Sequence, residues 1–418
     1  MTKVGVRVEP LRHPAGAWQE RIGEELAGNI LPFWPRYVMD RERGGFFGTV
    51  DSRRVVQRDS PRSAVVSARI LWTYAAAARL IDPAYRSVAD WALDYVVGKF
   101  WDREQGGLFW MLDSWGLPIS DRKQTYAQAF GIYAFAEHYR LTGSPGSLDF
   151  AKLLFALIER HCHDPVLSGY HEARTRDWQL LADVRLSDKD MNCPKTMNTH
   201  LHVLEAYTNL MRVWPDQEVK QRQSEVLALL MDRIVDPASG HLQLFFDERW
   251  TSLCGDVSFG HDIEASWLLL EAAEVLGDPA LLARARETSV RLARAASKGV
   301  DADGSMMYTA CRDGKVIDPR KHWWVQAEAV VGFYNAWQLT GERHFREASR
   351  RAWDYIERHV VDRRHGEWHA LVSREGVPLT EADDPEALLV GPWKCPYHDA
   401  RVCFEMLRRL ANSEEGIR

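Results

Sequence analysis

A turn rich in Asp and Gly, followed by aromatic residues, recurs six times along the 418-residue chain and restricts its fold more than any other feature. The turn glycines stand 62, 62, 71, 64 and 62 residues apart, at Gly45, Gly107, Gly169, Gly240, Gly304 and Gly366. Each interval has room for two helices with their connections. Each also holds two stretches of apolar periodicity, separated by a breaker that contains Gly or Pro. The spacing therefore predicts five helical pairs.

A single helix is predicted at each end of the repeats. Before the first turn, four apolar residues between Trp18 and Ile30 fall on one helical face, and a last helix is predicted from about residue 398 to residue 410. Twelve helices close into a ring if the first packs beside the last. We predict an all-α fold, an (α/α)6 barrel with inner and outer rings and short hairpin turns at its mouth. The apolar first helix of each pair is predicted to be inner and the amphipathic second helix outer.

The composition, 46% hydrophobic and 27% charged, predicts a soluble globular protein. No linker divides the chain, so we expect one catalytic domain over residues 1–418, with residues 1–16 as a loose extension. The charge of -6 is spread along the chain, which argues against nucleic acid and favours a small neutral ligand. No apolar run approaches the roughly 18 residues of a membrane helix. We expect a cytoplasmic monomer or weak dimer.

Polar and aromatic residues stand near the start of every predicted inner helix. They are Arg69, Tyr126, Asn198, His200, His261, Glu264, Trp324, Glu328 and His398. Helical geometry aims these groups at one central pocket, although each, taken singly, is as well explained as a structurally satisfied polar group. His202 lies two residues from His200 and is predicted to face the other side of the helix, as packing. His161 and His163 are interpreted in the same way.

Two tryptophans near the predicted mouth, Trp324 and Trp393, are suited to stacking on the apolar face of a sugar ring. Metal-binding motifs such as HExxH and the EF-hand loop are absent from the sequence, and His365 and His369, four residues apart, fall in a predicted irregular turn. Glycine-rich phosphate-binding motifs and GxSxG are absent as well. The six cysteines are far apart and predict neither a zinc knuckle nor a disulfide framework. We therefore expect no metal and no cofactor.

Several of these segments resemble one protein family. They are SARILWTY, KQTYAQAF, MNTHLHVLEAY, GHDIEASW, HWWVQAEA and GPWKCPYHDAR. The chain resembles the N-acylglucosamine 2-epimerase superfamily from about residue 44 to residue 410, and within it most resembles the cellobiose 2-epimerases. The resemblance implies an (α/α)6 barrel that interconverts glucose and mannose at the reducing end of β-1,4-linked disaccharides such as cellobiose and lactose, without a metal or nucleotide.

The resemblance also assigns roles to individual residues. It implies that His261 and His398 are the acid and base of the reaction. It implies substrate-binding or supporting roles for Arg69, Tyr126, Asn198, His200, Glu264, Trp324 and Trp393. The chain departs from the family pattern at Ser67 and Asp399, where Asn is expected, and over residues 379–390, which are longer than expected.

Two histidines suit a reaction that inverts a carbon through a planar enediol, because the proton must leave one face and return to the other. Imidazoles with an ordinary pKa near 6.5 can act as base and acid near neutral pH. We expect His261 and His398 to start neighbouring inner helices and to face each other across C2. Arg69 and His200 are expected to stabilise charge on O1, and Glu264 to orient His261 or to support its cationic form.

Other functions stay open on the sequence alone. An isomerase of the same superfamily would return the proton to C1 and form a ketose, and free monosaccharides or N-acylglucosamine are alternative substrates. A glycoside hydrolase on the same barrel would use two carboxylates, such as Glu264 and Glu328. A binding protein, as among the renin-binding members of the superfamily, would not need both histidines.

Overall fold

The computed structural model describes residues 15–311 and 313–412, which contain twelve α-helices of ten or more residues. They are α1 Ala15–Glu25, α2 Ala64–Leu80, α3 Arg86–Tyr95, α4 Thr125–Thr142, α5 Pro145–His161, α6 Met197–Val213, α7 Gln217–Leu229, α8 Phe259–Leu276, α9 Pro279–Ala296, α10 Trp323–Thr340, α11 Arg343–Tyr355 and α12 Tyr397–Ala411. The even-numbered helices are buried along most of their length, whereas the odd-numbered helices expose a polar face.

The even-numbered helices form a closed inner ring. Each contacts the next even-numbered helix along the chain, and α12 returns to contact α2. Helix α1 packs against α12 and completes the outer ring. One hydrophobic core extends through both rings. The predicted (α/α)6 barrel, with apolar first helices inside and amphipathic second helices outside, is confirmed.

Several outer helices end in five-residue π-helical segments. These are Leu26–Ile30 and Trp34–Val38 after α1, on either side of the α-helical turn Leu31–Phe33, and Val96–Phe100, Leu230–Ile234 and Ile356–Val360 after α3, α7 and α11. Short 3-10 helices, Pro83–Tyr85 and Ser297–Gly299, occur before α3 and after α9. After α3, α7 and α11, each π-helical segment is followed by one of the recurring Asp-Gly turns. These three outer helices therefore connect to the turns at the mouth in the same way.

Twelve short strands surround the mouth in the described part of the chain. They are β1 Arg62–Ser63, β2 Met111–Leu112, β3 Pro118–Ser120, β4 Lys123–Gln124, β5 Ala173–Arg174, β6 Lys195–Thr196, β7 Phe245–Phe246, β8 Asp256–Ser258, β9 Thr309–Cys311, β10 Val316–Asp318, β11 Lys321–His322 and β12 Leu371–Val372. All pairs are antiparallel, in the orders β1-β2-β3, β4-β5, β6-β7, β8-β9-β10 and β11-β12. A strand that precedes an inner helix thus pairs with the hairpin before the next inner helix, and a bridge between Val50 and Val390 joins the first repeat to the last.

A buried residue precedes each inner helix by two or three positions. We call these six the anchor residues: Arg62, Lys123, Lys195, Val257, Lys321 and Lys394. The first three and Lys321 bind the Asp of a recurring turn; Lys195 Nζ, for example, lies 2.7 Å from Asp164 Oδ2. Gly107, in one of these turns, has φ +74°, and a Cβ there would lie 2.8 Å from the Trp178 ring. The turns and anchor residues together fix where each inner helix begins.

Two sequence-based expectations concern the ends of the chain and membranes. The predicted extension of residues 1–16 falls almost wholly outside the described residues, because α1 begins at Ala15. Among the helices that the structure describes, none is long and apolar enough to cross a membrane.

Candidate active site

Counting from the anchor residues brings equivalent positions of the six inner helices into register. Seven positions beyond them stand Arg69, Phe130, His202, Glu264, Glu328 and Arg401. Three positions beyond them stand Val65, Tyr126, Asn198, Gly260, Trp324 and Tyr397. These two rows are one helical turn apart and therefore share a face, and their side chains meet at the barrel axis near the mouth.

His261 and His398 occupy equivalent positions, each four residues beyond an anchor residue. The ring of Trp324 contacts both, with centroid distances of 4.9 Å to His261 and 5.6 Å to His398. The expectation that the two histidines start neighbouring inner helices is wrong, because α10, which carries Trp324, lies between α8 and α12. This intervening helix places the Trp324 ring next to both imidazoles.

Different groups hold the two imidazoles. His398 Nδ1 lies 2.7 Å from Glu328 Oε1, and His261 Nδ1 lies 2.7 Å from Ser258 Oγ. Ser258 is also the N-cap of α8, where its hydroxyl accepts a bond from the His261 amide. Each Nδ1 therefore has a partner in the protein, and Nε2 of each ring is the nitrogen available to a ligand.

Burial controls the charge of both histidines. It lowers the pKa of His261 to about 3, with a smaller contribution from His202. Burial, and after it the charge of Arg401, holds the pKa of His398 well below its usual value. Both rings are therefore neutral at neutral pH, unlike the ordinary imidazoles that the sequence led us to expect.

The buried guanidinium of Arg401 binds three carboxylates near the two histidines. Arg401 Nη2 donates to Glu264 Oε1 at 2.5 Å and to Glu328 Oε1 at 2.7 Å, and Nη1 donates to Glu205. Burial, followed by the proximity of Glu328, raises the pKa of Glu264 to about 8. The prediction that Glu264 orients His261 is wrong, since this carboxylate binds Arg401 instead.

The same cluster has the spacing of a metal site. Ligand atoms of Glu264, Glu328 and His398 lie within 4.8 Å of one another. The guanidinium of Arg401 donates to both carboxylates, however, and so supplies the positive charge that a metal ion would bring. Neither Arg401 nor Glu205 was among the predicted site residues. Arg401 stands seven positions beyond Lys394, in the row of Glu264 and Glu328, and this register is the signal that could have found it.

The structure corrects the predicted roles of two histidines in α6. Both ring nitrogens of His200 bind backbone: the Tyr170 amide donates to Nε2 at 2.8 Å, and Nδ1 lies 2.6 Å from the Thr196 carbonyl oxygen. His202, predicted to be packing, belongs to the inward row, with Nδ1 2.9 Å from Glu205 Oε2. His202, rather than His200, therefore lies with the pocket residues.

His200 stands at a structural position that recurs around the barrel, five residues beyond an anchor residue. At the equivalent positions, Gln128, Asp262 and Gln326 also accept a hydrogen bond from a backbone amide that follows a recurring turn. The departures Ser67 and Asp399 occupy this same row. Ser67 Oγ donates to a backbone carbonyl, and Asp399 Oδ2 accepts from Lys394 at 2.8 Å. Both departures therefore concern the frame of the barrel, not the pocket wall.

Arg69, Tyr126 and Trp393 form the side of the pocket opposite α8. Arg69 Nη2 donates to the Tyr126 hydroxyl at 2.9 Å, and the guanidinium lies 4.2 Å from the centroid of the Phe130 ring. The Trp393 ring centroid lies 6.1 Å from that of Tyr126. Arg69 Nε and Asn198 Oδ1 are buried without a hydrogen-bond partner among the described residues. Both atoms are free to hydrogen-bond to a polar group of a ligand.

A cavity of about 90 Å³ opens beside His261. Its walls include Asn198, Ser258 and Tyr308, together with side chains of residues 184–193, the segment that leads into α6. The remaining histidines considered above lie elsewhere: His161 stacks on Trp178 at 4.9 Å, and His365 Nδ1 lies 3.0 Å from Asp362 Oδ2 in a turn.

Known proteins are similar to this chain in sequence and in fold. The cellobiose 2-epimerase of Bacteroides fragilis is 44% identical over 390 residues, which cover 93% of this chain and 98% of the relative. The solved structure of the cellobiose 2-epimerase of Bacillus thermoamylovorans superposes with a TM-score of 0.88 at 40% identity, over 94% of this chain and 99% of that one. A D-mannose isomerase structure, at 20% identity and a TM-score of 0.81, shares the fold over 96% of this chain and 100% of its own.

The family described as N-acylglucosamine 2-epimerase matches residues 45–389. This range begins at the first recurring turn glycine and includes five of the six inner helices, with Arg69, His261 and Glu328. The match covers most of the chain, and the relatives above align over nearly their whole length. The chain belongs to the N-acylglucosamine 2-epimerase family.

Proposed function

We propose that this chain is a sugar 2-epimerase that interconverts glucose and mannose at the reducing end of β-1,4-linked disaccharides such as cellobiose and lactose. The observation that carries the proposal is the pair His261 and His398, held at equivalent positions on either side of Trp324. Relatives named cellobiose 2-epimerase, at 32 to 44% identity over 93% or more of the chain, support the same substrate class.

The reaction begins with opening of the reducing-end ring, which gives an aldehyde at C1. One imidazole Nε2 then takes the C2 proton, and the electron pair of that bond forms the C1–C2 double bond of an enediol while O1 gains negative charge. Arg69, with Nε unpaired in the pocket, stabilises this charge. The other imidazole delivers a proton to C2 from the opposite face, which inverts the carbon.

Because both histidines are neutral, the proton that is delivered to C2 must be replaced from a nearby group. At neutral pH the cluster around Arg401 keeps a proton on Glu264, because burial and Glu328 raise the pKa of that carboxyl. Carboxylate oxygens of Glu264 and Glu328 and a ring nitrogen of His398 lie within 4.8 Å of one another. As His398 Nε2 gives its proton to C2, Nδ1 takes a proton from Glu328 Oε1, which is replaced by the proton of Glu264, and Glu264 is left as a carboxylate. In the reverse direction the same unit accepts a proton.

The glycoside hydrolase alternative is disfavoured by the same contacts. Its two carboxylates must flank a glycosidic bond. Glu264 and Glu328 instead share Arg401 Nη2 as a donor, and Glu328 Oε2 also accepts from Trp267 Nε1 at 2.9 Å. We further propose that the protein acts without a metal or cofactor, does not bind nucleic acid, and works in the cytoplasm as a monomer or weak dimer.

Isotope exchange tests the proposed reaction. The protein is incubated in deuterated water with cellobiose, lactose, glucose, mannose or N-acetylglucosamine, and products are followed by NMR. We expect a mannose-type epimer of cellobiose or lactose with deuterium at C2, and the same activity after dialysis against EDTA. Label at C1 of a ketose identifies an isomerase instead. Absence of exchange with every sugar contradicts both assignments.

Two substitutions test the histidines themselves. His261→Asn and His398→Asn are each expected to abolish epimer formation, because either change removes a proton carrier from one face of C2. Circular dichroism and thermal unfolding serve as controls for the fold. Near-normal turnover by either folded variant contradicts the assignment.

A further inference from the structure

The roof of the pocket is formed by residues 184–193, the segment that leads into α6. Arg185, Leu186, Asp190 and Met191 from this segment line the cavity beside His261. At one end Gln124 Nε2 donates to the Arg185 carbonyl oxygen at 2.8 Å. The segment is therefore a structured roof with its base tied to β4.

The cavity beneath this roof is too small for a sugar. Its volume is about 90 Å³, whereas pockets that enclose small-molecule ligands measure about 300–1,000 Å³. His261 and Asn198 line this cavity, whereas Trp324 and His398 do not, so the roof borders the side of the site beside His261. Contacts that hold the roof in place therefore set how much space this side of the site offers a sugar.

One such contact spans the mouth of the barrel. Lys189 Nζ, in the roof, lies 2.5 Å from Glu386 Oε2, in the segment of residues 379–390 that leads toward α12. Helices α6 and α12 stand opposite each other in the inner ring, since two inner helices separate them in either direction. The ion pair therefore joins opposite sides of the mouth.

The partner segment is firmly held, so it can serve as the fixed side of the contact. Arg320, at the entrance to β11, binds Asp384 and also Asp318, the latter at 2.7 Å. Leu389 and Val390 are buried, and Val390 forms the bridge to Val50 that joins the last repeat to the first. The segment carries Glu386 to the roof.

We propose that the Lys189–Glu386 ion pair is a latch that holds the roof closed over the pocket and disfavours substrates longer than a disaccharide. The preference for short chains rests on the proposed function. With the reducing end held between the two histidines, a β-1,4-linked chain can extend only through the mouth, and a third or fourth sugar meets the latch. The pair is exposed, with 64% of the Lys189 and 44% of the Glu386 side chain accessible, so its removal does not threaten the fold.

The latch is tested first without reference to activity, by hydrogen exchange of the roof. The amides of Val184 and Ser187 are hydrogen-bonded to Asn192 and Asp190 within the segment, so their exchange reports its opening. Lys189→Met and Glu386→Gln are each expected to speed exchange over residues 182–193 about two- to fivefold, the shift that an exposed ion pair produces. The wild-type protein in 1 M salt should exchange at the rate of the variants.

A charge reversal and a matched control make the result specific. The double variant Lys189→Glu with Glu386→Lys is expected to return exchange to the wild-type rate. The control is Arg58→Met, which removes an ion pair of similar exposure with Glu42, also at the mouth, and should leave roof exchange unchanged. Unchanged exchange in both single variants, or a double variant that behaves like them, overturns the latch.

The effect on chain length is measured separately. The ratio of kcat/KM for cellotetraose to that for cellobiose is expected to rise about two- to fivefold in both single variants and to return in the charge-reversed double variant. A constant ratio despite faster roof exchange overturns the selection against longer chains. If the wild-type protein epimerises no sugar, the proposed function fails, and the exchange experiment still decides whether the latch exists.

Discussion

Glu328 has three hydrogen-bond partners on its two carboxylate oxygens, and a Glu328→Gln substitution tests the proton-transfer unit that it forms with His398. Oε1 faces His398 Nδ1 and Arg401 Nη2, each at 2.7 Å, and Oε2 accepts from Trp267 Nε1 at 2.9 Å. Glutamine has nearly the same shape but one acceptor oxygen and no negative charge. It therefore leaves at least one donor without an acceptor and cannot take a proton from the imidazole.

The magnitude follows from these contacts. A hydrogen bond to a charged group contributes about 1.5–3 kcal/mol, and a tenfold change in rate corresponds to about 1.4 kcal/mol. If the lost bond is the one that supports His398 during proton transfer, kcat falls about 10- to 150-fold. KM is expected to change little, since Glu328 lies behind His398 and is not proposed to touch the sugar.

The assay is epimer formation from cellobiose in deuterated water, with incorporation at C2 measured by NMR. Trp267→Phe is the matched control, because it removes the donor to Oε2 and leaves the contacts of Oε1 intact, so kcat should stay within about threefold of wild type. A folded Glu328→Gln variant with kcat within twofold of wild type would refute the role of the His398–Glu328 unit.

Other expectations concern α6, Arg401 and pH. His200→Gln should keep the fold and near wild-type kcat, since glutamine fills the equivalent structural position in two other repeats, whereas His202→Asn should lower kcat/KM at least tenfold in the same NMR assay. Arg401→Met leaves buried carboxylates without their cation and should lower the free energy of unfolding in urea by about 3–5 kcal/mol. Glu264 keeps its proton in the folded protein up to about pH 8 but loses it near pH 4.5 when unfolded. Its contribution to stability therefore decreases as pH rises between these values. Urea unfolding at pH 5, 6.5 and 8 should show a smaller decrease for Glu264→Gln than for wild type.

The fold was predictable because its cause is repeated in the sequence. A turn every 62 to 71 residues and an apolar stretch followed by an amphipathic one are local patterns, and ring closure follows once twelve helices are counted. The pairing of strands between successive repeats was not predicted. Strands of two or three residues carry too little periodicity to be recognised, and their partners lie about 50 residues away in the chain.

The site was predicted less completely, because it depends on which face of each helix turns inward. An error of two residues exchanged the roles of His200 and His202 in α6. Placing the anchor residues in register would have avoided it, since Lys195 stands seven residues before His202 just as Lys321 stands seven before Glu328. The contacts of Arg401 with Glu205, Glu264 and Glu328 join residues 73 to 196 positions apart. Such contacts depend on the relative rotation of four helices, which no local pattern encodes.

The six-fold repeat contains one row of residues that stabilises the barrel and another row that lines the candidate pocket. Five residues beyond an anchor residue, the side chain accepts a hydrogen bond from a backbone amide in four repeats. In each case this amide follows a recurring turn that packs against an inner helix. Seven residues beyond an anchor residue, the six side chains are of four types. Two are Arg (Arg69 and Arg401), two are Glu (Glu264 and Glu328), one is Phe and one is His. In the proposed reaction, two equivalent histidines separated by one helix act on opposite faces of a planar intermediate. Different neighbours, Ser258 for His261 and Glu328 for His398, give them different partners for proton transfer. A strictly symmetric ring would give both histidines the same environment. The departure from symmetry at the inward rows thus gives the two imidazoles of the proposed reaction different proton-transfer partners.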